Sequence, residues 1–343
     1  MSQGKTNPGR FFEDYAPGLV IEHAVPRTLS GGERALYQAL YPARHALTSS
    51  DEFARSCGLA ASPMDELIGF HTVFGKSVPD ISLNAIANLG YAEGRWFAPV
   101  WPGDTLRATS QVIGIKENSN GQSGVVWVRT VGANQHGATV LSFVRWVMVR
   151  KRGTGVAPVP VVPVLATSLP PAALIIPAGL NFSSYDFGQA GELHRLDNYA
   201  VGEVIDHIDG VTVEEAEHML ATRLWQNTAK VHFDRTARPD GKRLIYGGHI
   251  ISLARALSFN GLANAQLIVA LNAGTHANPC FAGDTVRAWS QVLDKAPTAS
   301  PNVGAIRLRL VATRGTTGVL HGADGKYDPD VLLDLDYWAL MPN

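Results

Sequence analysis

Residues 224–234 (Leu-Trp-Gln-Asn-Thr-Ala-Lys-Val-His-Phe-Asp) bring an amide, an imidazole and a carboxylate into one short stretch: Asn227, His232 and Asp234. An imidazole titrates near neutral pH, so His232 can take a proton from water. The Asn227 amide can orient a water or the imidazole but cannot accept a proton at neutral pH. Asp234 lies two residues beyond His232. On a strand the two would share a face, so the carboxylate could orient or recharge the histidine. Fourteen residues past His232 begins Tyr246-Gly-Gly-His-Ile-Ile-Ser252, with the pattern of a helix start. Free backbone N–H groups and the positive end of the helix dipole make Gly247, Gly248 and His249 candidates for stabilising a developing oxyanion. Together these residues could serve general acid–base chemistry beside a stabilised oxyanion. Read by type alone, each has a plainer role: His232 as a core histidine, Asn227 as a turn residue, Asp234 and His249 as solvated or helix-terminal groups.

The elements that must position these groups are written twice. Tyr15–His23 matches Tyr199–His207 at six of nine positions, offset by 184. Pro99–Val112 matches Pro279–Val292 at nine of fourteen, offset by 180, and Ser82–Asn88 matches Ser258–Asn264 between them. Three blocks in one order at near-constant spacing mark an internal duplication. The expected units are residues 1–152 and 178–343, joined by a Pro/Ala/Val-rich linker over 153–177 that cannot hold a helix and reads as extended chain lying against the body. Each unit predicts an opening strand (18–23; 202–207) and a helix announced by a capping box at Ser30–Glu33 or Thr212–Glu215. A second, largely apolar helix follows (65–77; 249–259). Alternating strands close each unit (124–134 and 139–149; 305–312 and 331–340). The class is α+β, a buried helix wrapped by an antiparallel sheet, twice.

Composition narrows the function. Charged residues are 17% of the 343, the net charge is −1, and no basic footprint for nucleic acid or an anionic membrane is present. The low charge suggests extensive buried surface and a homo-oligomer, a dimer by preference. Two cysteines exclude a disulfide framework or a zinc knuckle, no metal-ligand signature stands out, and no cofactor is expected. No leader-like or membrane-spanning apolar run is seen, so a cytoplasmic setting is expected. Phe74-Gly-Lys-Ser77 echoes the end of a P-loop but lacks the earlier glycine, since residue 70 is Phe70. His71, His207, His218 and His276 read as core histidines.

The succession Asn227–His232, Gly248 opening the buried helix, then Asn278-Pro-Cys-Phe-Ala-Gly-Asp-Thr285 resembles the MaoC-like double hot-dog (R)-specific enoyl-CoA hydratases. The resemblance spans about residues 7 to 342 and includes FFEDYAPG, SVPDISLNAIANLGYAEGR and TRLWQNTAKVHFD. It implies a double hot-dog fold and a lyase acting on a CoA thioester, with mesaconyl-CoA and β-methylmalyl-CoA as the expected pair. A broader enoyl-CoA hydratase, or an acyl-CoA-binding protein without turnover, are the alternatives. It puts the family's catalytic histidine on His232, its helix-opening glycine on Gly248, and its catalytic aspartate on Asn227, a departure. The corresponding positions of the first copy are Thr48 and Ala43, so that unit is expected to be chemically silent and to help form the acyl-binding space. A dicarboxylic substrate would need a cation, for which Arg223 and Arg255 are the candidates. A further expectation is that its carboxylate replaces the missing aspartate near His232, making crotonyl-CoA a poor substrate.

Overall fold

Val126, Val128 and Val147 alternate with the half-buried Val125, Trp127, Arg129, Trp146 and Met148, and such alternation stabilises a strand with one face on a core. The computed structural model describes residues 5–153, 155, 158–315 and 318–343. Residues 1–4 of the expected first unit, Thr154, Val156 and Ala157 of the linker, and Thr316 and Thr317 of the second unit lie outside the described residues. The strands are β1 (Val20–Thr28), β2 (Ala85–Trp96), β3 (Thr105–Glu117), β4 (Ser123–Ala133) and β5 (Thr139–Arg150) in the first copy. The second has β6 (Val204–Thr212), β7 (Leu267–His276), β8 (Thr285–Pro297), β9 (Val303–Thr313) and β10 (Val331–Pro342).

All ten form one antiparallel sheet in the order β1-β3-β4-β5-β2-β7-β10-β9-β8-β6. The order is the same in each half, read outward from a seam where β2 pairs with β7. A long helix is wrapped by each half: Glu66–Ile81 in the first and Gly247–Leu257 in the second, both mostly buried. This is the double hot-dog arrangement. The helices meet through a polar link: the His71 ring bonds the Tyr246 hydroxyl through Nδ1 (3.2 Å) and the Ser252 hydroxyl through Nε2 (2.7 Å). Gly75 fits close against the second copy, where an added Cβ would lie 1.7 Å from the Trp225 carbonyl oxygen.

Ser30 caps the helix Gly31–Leu40 and closes its box with Glu33, as its sequence predicts. Thr212 does not cap. It ends β6, where its hydroxyl meets that of Thr285 at 2.8 Å, and the next helix, Glu215–Leu224, starts from Glu214 without a side-chain cap. Sheet pairing has claimed the residue that the local motif assigns to the helix. The first central helix runs four residues beyond its expected end, through Pro79 to Ile81. The second starts two residues earlier than expected, at Gly247. Among the described residues before Pro177 the linker has no helix beyond one short 3-10 turn, Pro171–Ala173. It lies on the sheet: Val161 exchanges two hydrogen bonds with Ile115, and Leu169 N–H donates to Asn272 Oδ1 at 2.8 Å.

Candidate active site

The segment carrying His232 is a single helical turn, Lys230–Phe233, not a strand. Two residues along a helix turn the chain by about 200°, so Asp234 leaves the face of His232. The Asp234 carboxylate is exposed and accepts from the Thr236 N–H and hydroxyl at 2.8 and 2.7 Å. It caps the next turn, Arg235–Ala237. The His232 Nδ1–H donates to the Leu244 carbonyl oxygen at 2.7 Å, which leaves Nε2 as the basic nitrogen. Loss of hydration pushes the imidazole down to about 4, against the opposing pull of that carbonyl.

Asn227 is buried, and its Oδ1 accepts from the Ala229 N–H at 3.2 Å. One lone pair of the amide oxygen is thereby used, and no bond joins Asn227 to His232. The side chain lines the cavity beside it.

That cavity has a volume of about 290 Å³. One wall comes from the second copy: Asn227, His232, Tyr246, Gly247 and His276. The opposite wall comes from the first: Phe74, Ser82, Tyr91 and Arg145. At the start of the second central helix, the Tyr246 N–H donates to His218 Nε2 (2.9 Å) and the His249 N–H to the Tyr246 carbonyl (2.9 Å). Gly247 and Gly248 keep their first-turn N–H groups free of intrahelical partners, as helix geometry requires. Gly247 lines the cavity with no space for a side chain, since a Cβ would lie 2.3 Å from the His276 ring. A Cβ on Gly248 would run into the Tyr246 ring at 2.4 Å. His249 does not line the cavity: its backbone donor is used, and its buried ring turns to the Tyr41 hydroxyl at 3.1 Å.

Neither arginine expected at the substrate reaches the cavity. Arg223 is exposed, its Nε on the carbonyl of Met219 one helical turn back at 3.0 Å. Arg255 is buried but directed at β10, with Nη2 on the Ala265 carbonyl and the guanidinium over the Tyr337 ring. Both satisfy backbone oxygens of their own surroundings. The cation that lines the cavity is Arg145. The sequence does not single out Tyr91 or Arg145, and it reads His276 as a core residue, yet all three face the cavity. One signal was present, because Arg145 is the only charged residue in Thr139–Val149.

Thr48, which corresponds to His232, is buried with its hydroxyl on the His45 carbonyl, so the first copy has no acid–base group there. Phe74-Gly-Lys-Ser77 lies inside the first central helix and forms no phosphate loop. Among the described residues no three His, Cys, Asp or Glu side chains gather as a metal site would need.

The mesaconyl-CoA hydratase family model matches residues 3–322. The chain belongs to the mesaconyl-CoA hydratase family. A mesaconyl-CoA hydratase of Cereibacter sphaeroides is 75% identical, with 98% of this chain and 99% of the relative covered. A beta-methylmalyl-CoA dehydratase of Chloroflexus aurantiacus is 56% identical, with 98% of each covered. The crystal structure of a MaoC domain protein dehydratase from Chloroflexus aurantiacus superposes with a TM-score of 0.96 at 55% identity, covering 99% of both chains. A double hotdog protein of Mycobacterium tuberculosis shares the fold at a TM-score of 0.76 and 24% identity, over 97% of this chain and 98% of that one.

Proposed function

We propose that the chain is a hydro-lyase that reversibly adds water to mesaconyl-CoA, giving β-methylmalyl-CoA. The observation that carries the chemistry is His232, whose Nδ1–H is held by the Leu244 carbonyl while a basic Nε2 remains at a cavity that begins at a helix N-terminus.

In the hydration direction, Nε2 of His232 takes one proton from a water as its oxygen bonds to Cβ of the enoyl thioester. The C=C electron pair shifts toward the thioester, and negative charge grows on the carbonyl oxygen. The free N–H groups of Gly247 and Gly248 are donors suited to that oxygen, and the Asn227 NH2 can donate to the water. The imidazolium then returns its proton to Cα, restoring the neutral base. No Asp or Glu lines the cavity, which supports one histidine serving as base and acid in turn. Dehydration runs the same steps backward. A broader hydratase and a non-catalytic binder of acyl-CoA stand behind this reading.

Mixing purified protein with mesaconyl-CoA should bleach the enoyl-thioester absorbance, and β-methylmalyl-CoA should restore it. Tight binding of both esters with no absorbance change would reject the reading. We further propose a dimer, since the exposed Val20, Val25, Val204 and Ile208 leave the edge strands β1 and β6 partly apolar. Light scattering that gives the mass of one chain would reject it.

A further inference from the structure

Arg145 is fully buried on β5, in the copy that lacks the catalytic histidine. Its Nη1 donates to the Ser82 hydroxyl at 2.9 Å and its Nη2 to the Ser77 hydroxyl at 2.8 Å. Its Nε has no partner, and its guanidinium lies 4.3 Å above the Phe74 ring. Among the described residues no carboxylate pairs with it. Burying an unpaired charge is costly, and folded chains normally place an acid beside it. Burial pulls this guanidinium down to about 10, still positive at neutral pH.

Sheet register aims the charge. On adjacent strands β5, β2 and β7, Arg145 stands opposite Tyr91, and Tyr91 opposite Gly274. The row crosses the seam, and His276 lies two residues further along β7, its Nε2 3.2 Å from the Tyr91 hydroxyl. From Arg145, the rings of Phe74, Tyr246 and His232 follow in succession, with centroid separations of 5.8 Å (Phe74 to Tyr246) and 5.9 Å (Tyr246 to His232). The guanidinium and the proposed base therefore share one cavity.

We propose that Arg145 binds the free carboxylate of a dicarboxylic enoyl thioester and thereby makes such esters better substrates than monocarboxylic ones. This rests on the hydratase reading above. A planar fork matches a carboxylate through two parallel N–H bonds, and a guanidinium held only by the Ser77 and Ser82 hydroxyls gains the counter-charge that the protein does not supply. The first copy, though without acid–base chemistry, thus selects the substrate that the second copy hydrates.

The test compares kcat/KM for mesaconyl-CoA and crotonyl-CoA in wild type, Arg145→Gln and Arg145→Lys. Wild type should favour mesaconyl-CoA, and Arg145→Gln should lose about 10²- to 10³-fold on it while crotonyl-CoA turnover stays within a few fold. Arg145→Lys, keeping charge without the fork, should fall between. A parallel measurement needs no variant: the methyl ester of mesaconyl-CoA should be as poor a substrate for wild type as mesaconyl-CoA is for Arg145→Gln. Equal losses on both esters in Arg145→Gln, or full activity of wild type on the methyl ester, would overturn the proposal. Wild type hydrating crotonyl-CoA as fast as mesaconyl-CoA would also overturn it while leaving the hydratase reading intact. Wild type hydrating neither would remove that reading itself.

Discussion

The imidazole of His232 donates through Nδ1 to the carbonyl oxygen of Leu244 at 2.7 Å, across twelve residues of chain. That bond fixes the tautomer, so the nitrogen left at the cavity is an acceptor. His232→Ala removes it, and general-base loss typically lowers turnover by about 10²- to 10⁴-fold. Absorbance assays should show such a loss with the melting temperature little changed, because the ring is half-buried in a one-turn helix.

The same residue sets a pH dependence. Its pKa is pushed down to about 4, so the imidazole is the neutral, active base throughout the range above that value. The profile of kcat/KM should be flat from about pH 6 upward and fall in acid as the base is protonated. A profile that instead rises with a midpoint near 6.5 would show a solvated histidine.

Stability should also decline in acid, and earlier than carboxylates alone would cause. The fully buried His71 and His218 are lowered to about 3, and His207 and His249 to about 4. Unfolded histidine titrates near 6.5, so the unfolded chain binds protons first as pH falls. The neutral folded state is thus fully favoured above about pH 6.5 and loses ground from there toward pH 4. Each such group contributes a slope approaching about 1.4 kcal/mol per pH unit. Thermal melts at pH 7.5, 6.5 and 5.5 should place most of the loss in the last step.

Asn227→Asp restores the residue type the wider family uses, but here it replaces a donor with an anion. Ala229 N–H would still be satisfied, and the second oxygen would bring negative charge into a cavity that receives a dicarboxylic ester. Turnover of mesaconyl-CoA should drop about tenfold or more, and crotonyl-CoA turnover should suffer less. Paired kcat/KM values decide the matter; a gain on mesaconyl-CoA would contradict it.

Gly75→Ala tests the contact between the copies. The added methyl would collide with the Trp225 backbone carbonyl, which cannot swing aside like a flexible side chain. Overpacking of this kind costs about 3 kcal/mol. Denaturant unfolding should give a lower midpoint for the whole protein as one transition, since both central helices must part.

The duplication, the paired helices and most strands were legible because repeated blocks and alternating residues report on local structure. His232 and Asn227, which both line the cavity, could be singled out because the segment around them resembles a family. The roles of Asp234 and His249 were not legible, because both depend on where the backbone turns: one helical turn sends Asp234 to solvent, and a tight first turn uses the His249 N–H. Tyr91, Arg145 and His276 lie 185 residues apart at their extremes and meet through strand pairing at the seam, which no local pattern encodes. Arg255 shows the converse. An arginine in an apolar helix did need partners, and it found them in the carbonyls of Ala265 and Gln266.

The β2–β7 seam has a consequence for how the cleft behaves on dilution. Were the two copies separate polypeptides, a cavity walled by both would exist only while they stayed associated, and it would empty out as concentration fell. The chain through 153–177 makes that encounter intramolecular. Specific activity per chain should therefore hold constant down to the lowest concentrations an assay can reach, whatever assembly forms outside the cleft.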